Sequence, residues 1–542
     1  MIAQMILYLL ILAVAVLAKT SPKQDRFFSI CVGSLFFVLC AYFILTPVGE
    51  SSEARSLVWN STTAGVLEFE IVSSPMTKLI LTPFFLMTAL MIAHNLFFPY
   101  EVHKKNYTAV LFLNLACLSM LATGQHYIQM ITFVFVIDVL SQFFIKNIEA
   151  GRCYALYNLI ADMSLFGVLA LLSGQADTLK ISKIQTFRHR DLVAFLLMCA
   201  LFVKFGFCVL PNYIRDLKNI RFHRLICVSY FSAPPAALIL LYKLSPLLKM
   251  SHLFLIIFYT VSAIVALIGI VGLLRCRSIK EKTIFLNLIL LSFLIQILGG
   301  RNPVWTESFS ALLVLSLSLN LTLYYLHYYK DRSTSLFLNE SQPLGKGKYV
   351  LLVGLWCCLS AAFAVKAMAL ARPHNALWVA LALILFSALT SVLFRRSKSH
   401  ETSLIPAETP LDGRPVPMIL ILAVPAVFYL HQESSLWPAA LVSCGVFLLA
   451  LKTDCFRFLT GDKKANAPRK ESQKTFLTEG LQKFALRGRS LKTSFVVPSS
   501  YVSDFGNVSV SLFRRINRLG TVRYAVFTLT ALVLFLWCFL RK

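Results

Sequence analysis

Apolar runs of about twenty residues recur along almost the whole of this 542-residue chain. That feature restricts its possible folds more than any other. A helix needs about 20 apolar residues to cross the hydrocarbon core of a bilayer. The first run covers 2–18. Others follow at roughly 28–46, 79–99, 108–123, 128–145, 154–173, 192–210, 225–242, 252–274, 284–298, 307–328, 349–371, 376–394, 417–430, 435–451 and 524–540. A transmembrane β-barrel would show ten-residue segments of alternating polarity, and these runs are continuous. Composition agrees, with 58% hydrophobic and 14% charged residues, where a soluble chain carries roughly a quarter charged. The reading is an all-α polytopic membrane protein with about sixteen transmembrane helices.

The balance of 52 Lys and Arg against 25 Asp and Glu, net +27, raises the question of nucleic acid. The positions of the charges exclude it, because nearly all lie in short loops between apolar runs. Basic residues of cytoplasmic loops set the orientation of such chains. They concentrate after the odd-numbered spans, which places both termini outside; the outside loop 174–191, with Lys180, Lys183, Arg188 and Arg190, is the main conflict. The first run has no basic residue before it and Lys19, Lys23 and Arg26 after it. A cleaved signal peptide has the reverse polarity, so this run is expected to stay as a span. The 13 cysteines are scattered, as at Cys199, Cys208 and Cys227, without the paired spacing of a zinc site or disulfide framework. Cys357 and Cys358 sit mid-span as small apolar residues. There is no phosphate-binding loop, iron–sulfur spacing or dinucleotide fingerprint, so neither metal nor cofactor is expected. Asn60-Ser61-Thr62 is a glycosylation sequon, of little weight without evidence of a secretory compartment.

Four ionisable residues fall within spans: Asp138, Asp162, Lys204 and Lys366. Such a residue costs several kcal/mol at bilayer depth, so it faces a protein interior or a hydrated path. Three of the four lie in consecutive spans, the fifth to the seventh. The plainer alternative is a set of structural ion pairs, and Lys366, near the outer end of its span, can also snorkel to the interface. His94 in the third span reads as a histidine hydrogen-bonded to a backbone carbonyl.

The segment Tyr157-Asn158-Leu159-Ile160-Ala161-Asp162 resembles the Asn-Arg-Ile-Gly-Asp motif of the antiporter-like membrane subunits of NADH-quinone oxidoreductase, with Leu159 in place of the arginine. That family includes the large subunits of Mrp-type cation/proton antiporters and membrane-bound hydrogenases. Phe133-Val134-Phe135-Val136-Ile137-Asp138 falls where the family has Gly-Trp-Glu, and Ala200-Leu201-Phe202-Val203-Lys204-Phe205-Gly206 resembles the segment of the central channel lysine. Leu210 to Asp216 keeps the frame of Leu-His-x-Trp-Leu-Pro-Asp, with Tyr213 at the tryptophan and Pro211 at the histidine. Ser278-Ile279-Lys280 is similar to the opening of the tenth span, Phe363-Ala364-Val365-Lys366 to the lysine segment of the twelfth, and Trp378 to Arg396 to the thirteenth. The resemblance covers about residues 70 to 400 in order. It departs at Ser229, where the family has a histidine, near Ser310, Val314 and Ser318, which replace two histidines and a lysine, and at Ala361-Ala362, which replace a Pro-Pro.

The resemblance implies two inverted five-helix repeats, spans 4–8 and 9–13. The domains are then 1–100 (three N-terminal helices), 101–245 (first repeat), 246–398 (second repeat) and 399–542 (C-terminal helices). An ammonium at low dielectric keeps its proton only while a carboxylate stands beside it. Asp138 and Lys204 are therefore expected to form a switchable proton pair, with Asp162 biasing Lys204 or orienting its helix, and Lys366 an exit-side carrier. The function implied is proton translocation by a subunit of a NADH-quinone oxidoreductase-type complex in a bacterial inner membrane, with redox energy supplied by partner subunits. Two alternatives stand beside it: a subunit of an Mrp-like sodium/proton antiporter, and a degenerate structural or assembly subunit without transport. The expected partners are other membrane subunits. Residues 471–495 place Phe476, Leu477, Leu481, Phe484, Leu491 and Phe495 at helical spacing among Lys474, Lys483, Arg487, Arg489 and Lys492. That pattern suits a surface helix of roughly 37 Å on anionic lipid, or else a solvated basic linker.

Overall fold

The structure, a computed structural model, describes residues 2–18, 25–46, 53–62, 65–97, 104–145, 148–173, 179–181, 184, 189–207, 217, 222–276, 279–299, 309–317, 319–321 and 323–324. The apolar runs form helices throughout these residues. In chain order they are α1 (Ile2–Ala18), α2 (Asp25–Leu45), α3 (Pro75–Phe97), α4 (Lys104–Thr123), α5 (Tyr127–Ser141), α6 (Ile148–Ser173), α7 (Arg190–Lys204), α8 (Phe222–Tyr230), α9 (Ala233–Lys249), α10 (His252–Arg275) and α11 (Ile279–Gly299). A further helical stretch, α12, covers Phe309–Leu321. Among the described residues, four stretches are long and apolar enough to cross a membrane: Pro75–His94, Tyr154–Ser173, Arg224–Lys249 and His252–Leu273. Shorter apolar helices accompany them. Lys366, the spans from 349 onwards and the basic segment 471–495 lie outside the described residues.

The expectation of a purely helical chain needs one correction. Between α2 and α3 an antiparallel hairpin forms from β1 (Glu53–Thr62) and β2 (Gly65–Ser73), with Glu53 opposite Ser73, Thr62 opposite Gly65 and an irregularity between Val58 and Asn60. Its cause is local: Glu68-Phe69-Glu70-Ile71 alternates polar and apolar, the period of a strand. The sequon asparagine, Asn60, lies on β1. Beyond the hairpin, Lys78 at the start of α3 donates from Nζ to the carbonyls of Ile44 (2.8 Å) and Thr46 (2.5 Å). A cation there satisfies the last carbonyls of α2 and complements the negative end of its dipole.

The helix α9 is the hub, touching α4, α5, α7, α8, α10 and α11. The stretch Arg224–Lys249 is 89% buried, against 22% for His252–Leu273, so α8 and α9 are central while α10 lies at the periphery. Small residues Ala233, Ala236 and Ala237 open α9 and are fully buried. In a bilayer, close approach at small residues replaces the hydrophobic effect as the source of helix association. The pairing of α10 with α11 uses the same device, since a Cβ at Gly272 would fall on the Phe285 ring. Outward, α10 exposes Leu253, Ile256, Ile264 and Leu267, and α1 exposes Leu7, Tyr8, Ile11 and Val14. These are faces suited to lipid or to a partner helix.

Two helices break beside the core. The seventh span was expected to run to 210, but α7 stops at Lys204. Gly206 takes φ 77°, its N–H bonds to Val203 O (2.9 Å) and the Phe207 N–H bonds to Phe202 O (2.8 Å). This is the two-bond C-terminal closure that a left-handed glycine makes possible. The eighth span divides into α8 and α9 at Phe231-Ser232. Pro234 and Pro235 explain the division, because proline lacks the N–H that would continue α8 yet fits the first turn of a new helix.

Candidate functional site

Asp138 is carried by α5, Asp162 by α6, and Lys204 is the last residue of α7. The closure at Gly206 therefore ends α7 at the lysine. Lys204 Nζ donates to Asp138 Oδ2 at 2.5 Å and to Asp162 Oδ1 at 2.8 Å. The lysine side chain is 0% exposed, and the two carboxylates are 7% and 3% exposed. So three of the four ionisable residues singled out in the sequence converge on one buried point, while Lys366 lies outside the described residues. Asp162 does more than orient a helix; it is a direct partner of the ammonium.

The stoichiometry sets what this cluster can do. One ammonium against two carboxylates is a net charge of −1 when all three are ionised. Buried charges are tolerated only when paired and hydrogen-bonded. An ammonium has three donors, and two are engaged here. Asp138 Oδ1 is buried and has no hydrogen-bond partner among the described residues. The cluster thus presents one lysine shared by two carboxylates.

Around the cluster stand uncharged polar groups, of which Asn158 and Ser229 figure in the resemblance and Tyr154 does not. Tyr154, Asn158 and Asp162 are spaced by four and share one face of α6. Asn158 is buried and donates to the Tyr154 carbonyl at 3.0 Å. The Tyr154 hydroxyl accepts the Ala233 N–H at 3.0 Å. The spacing of four was legible in the sequence, but a tyrosine in an apolar run passes as core. Further along the α8–α9 break, Asn320 Nδ2 donates to Tyr230 Oη (2.6 Å) and Asn287 Oδ1 (2.8 Å), and Asn287 Nδ2 donates to Ser229 Oγ (3.3 Å). Ser229, Tyr230, Asn287 and Ser316 line a cavity of about 40 Å³, enough for a few waters. Ser229, which stands where the resembled family has a histidine, therefore belongs to a hydroxyl–amide cluster. Ser310 and Val314 are buried, and Ser318 lies outside the described residues. His94 is buried with its ring edge-on to Tyr324 at 5.4 Å.

No family model matches the chain, and no curated protein matches it in sequence. Its structure is similar to a chain in the structure of the Mrp complex from Dietzia sp. DQ12-45-1b, with a TM-score of 0.62 and 15% identity, over 94% of this chain and 63% of that one. The chain shares the fold of that chain of the Mrp complex. At such low identity the likeness carries the fold alone, and this chain spans less than two thirds of the chain it matches.

Proposed function

We propose that the chain is an antiporter-like membrane subunit that passes protons through Asp138, Asp162 and Lys204 as one member of an assembly of membrane subunits. The observation that carries the reading is the Lys204 ammonium shared by two buried carboxylates at 2.5 and 2.8 Å. With one further proton the cluster is neutral: one carboxyl protonated, the ammonium paired with the other. When the proton leaves, the ammonium is again shared. A side chain that pivots between two acceptors exposes its proton first to one and then to the other, which is the requirement for alternating access at a midplane site.

In this reading the sixteen spans, the two repeats at 101–245 and 246–398, and an exit-side role for Lys366 extend the same architecture. A bacterial inner membrane, outside termini and a lipid-facing 471–495 complete it. The likeness to a chain of an Mrp complex favours cation/proton exchange over a redox-driven pump. A structural subunit without transport is the outcome that the test below would reveal.

The test is proton flux into liposomes containing the full chain with its co-purifying subunits. Asp138→Asn leaves Lys204 and Asp162 as a one-to-one pair, so the protein folds, yet it removes the second acceptor of the pivot. Flux is expected to fall at least about a hundredfold, and Lys204→Ala is expected to match it. Wild-type flux in both variants would leave only the structural role.

A further inference from the structure

Three hydroxyl groups line the cavity between α8, α9, α11 and α12, and each has its hydrogen committed elsewhere. The Ser229 hydroxyl donates to the Leu225 carbonyl (2.9 Å), that of Ser316 to the Leu313 carbonyl (2.8 Å) and that of Tyr230 to Asn287 Oδ1 (3.3 Å). The Asn320 amide has two hydrogens for three oxygens, Tyr230 Oη (2.6 Å), Asn287 Oδ1 (2.8 Å) and the Ser316 carbonyl (2.7 Å). Asn287 Nδ2 uses one hydrogen on Ser229 Oγ (3.3 Å). Apart from the second hydrogen of that amide, these groups have only lone pairs to offer a guest. Asn320 Oδ1 adds a buried acceptor without a partner among the described residues. The backbone has the same sign. Ser229 and Tyr230 end α8, where the helix dipole is negative. Pro234 and Pro235, which also line the cavity, bring no N–H to the carbonyls of Tyr230 and Phe231; Asn114 Nδ2 serves that of Phe231 at 2.9 Å.

We propose that this cavity binds a monovalent cation of sodium size through Ser229 Oγ, Tyr230 Oη and Ser316 Oγ at the C-terminal end of α8. A water molecule needs donors as well as acceptors, and the cavity is short of donors; a cation needs lone pairs alone. A divalent ion is bound through carboxylates, and the remaining lining is leucine, isoleucine and proline with the Asn287 amide. The volume of about 40 Å³ holds the ion with a water or two completing its coordination. Among the described residues the cavity is a partly open cleft, so the ion enters still partly hydrated. Broken helices place such ends at ion sites in other transporters. The inference rests on the cation/proton exchange proposed above and names where the exchanged cation sits. Its link to the carrier is α9, which borders the cavity with Pro234, Pro235 and Leu238 and packs on α5 and α7, the helices of Asp138 and Lys204.

The experiment is equilibrium binding of radiolabelled sodium to the purified full-length protein in detergent, with choline chloride holding the ionic strength constant. Saturable binding is expected, displaced by unlabelled sodium chloride and not by magnesium chloride. Ser229→Ala and Ser316→Ala delete hydroxyls whose hydrogens bond only to their own helix, and Tyr230→Phe keeps the ring. Each is expected to weaken binding at least about tenfold, and the double serine variant to abolish it. Should Tyr230→Phe fail to fold, the serine variants decide. Absence of saturable binding to the wild type, or undiminished binding in the folded serine variants, overturns the site. Binding lost in Asp138→Asn but kept in the serine variants would place the cation at the carboxylates and overturn it equally. None of these outcomes touches the proton carrier, which is judged separately by the liposome flux of Asp138→Asn.

Discussion

Lys204 is bound to Asp138 and Asp162 at once, and the energetics of that arrangement are separable from transport. Removing one member of a buried ion pair leaves an uncompensated charge and costs about 3–5 kcal/mol, whereas replacing all members by apolar or neutral groups of similar volume is close to neutral. Lys204→Met alone is therefore expected to lower the melting temperature of the detergent-solubilised protein clearly. The triple variant Lys204→Met, Asp138→Asn, Asp162→Asn should recover most of the loss while staying inactive. Fluorescence-monitored melts read this directly, and a triple variant as unstable as Lys204→Met would mean that the carboxylates are not held by the lysine. At this scale much of the site was legible, because an Asp or Lys inside an apolar run is conspicuous. The distances were not legible; Asp162 was expected to bias Lys204 or orient its helix, and its carboxylate lies 2.8 Å from the ammonium. Tyr154 escaped for a physical reason: a hydroxyl in an apolar run is cheap to bury when hydrogen-bonded, so its presence signals little by itself.

At the scale of elements, the legible part is the position of each helix and the poorly legible part is where helices stop. The run at 192–210 is apolar past Lys204, so hydropathy carries the span on, whereas backbone geometry ends it at the glycine with φ 77°. Likewise 225–242 reads as one span although Pro234 and Pro235 divide it. The hairpin at 53–73 was signalled by alternation at Glu68-Phe69-Glu70-Ile71 but lay in a stretch too polar to attract a search for spans. The closure at Gly206 makes its own prediction. An L residue with a Cβ pays about 1–2 kcal/mol for the left-handed region, and Asn pays less than others. Melting temperatures should therefore fall in the order Gly206, Gly206→Asn, Gly206→Ala, Gly206→Val. A flat series would mean that α7 does not need its closure to hold Lys204 in place.

At the scale of the molecule, the polar interior and the apolar exterior belong to one argument. Asp138, Asp162 and Lys204 are gathered where α5, α6 and α7 meet, Lys282 is buried on α11, and the cavity between α8, α9 and α11 is lined by leucines and prolines together with the neutral hydroxyl and amide groups of Ser229, Tyr230, Asn287 and Ser316. Neutral groups of this kind orient water but neither gain nor lose a proton at physiological pH, so Ser229, Tyr230, Asn287 and Asn320 offer Asp138 no titratable stepping stone. If the cluster carries protons as proposed, the driving energy comes as a change in helix position or as a second ion, and the two sources separate experimentally. If a second ion drives it, proton flux in liposomes requires an opposing sodium gradient, vanishes when sodium is replaced by choline, and is indifferent to quinone and its reductants. If partner subunits drive it, flux appears only with the redox subunits present and a reducible quinone, and choline changes nothing. The cation/proton exchange proposed above predicts the first outcome. The exposed leucines and isoleucines of α1 and α10 give the parallel expectation that mild-detergent purification recovers small membrane subunits alongside this chain. Sodium-independent flux from a preparation containing quinone-reducing subunits would overturn that assignment, and the coupling would then have to pass through the broken helices α7 and α8–α9 instead of through a second ion.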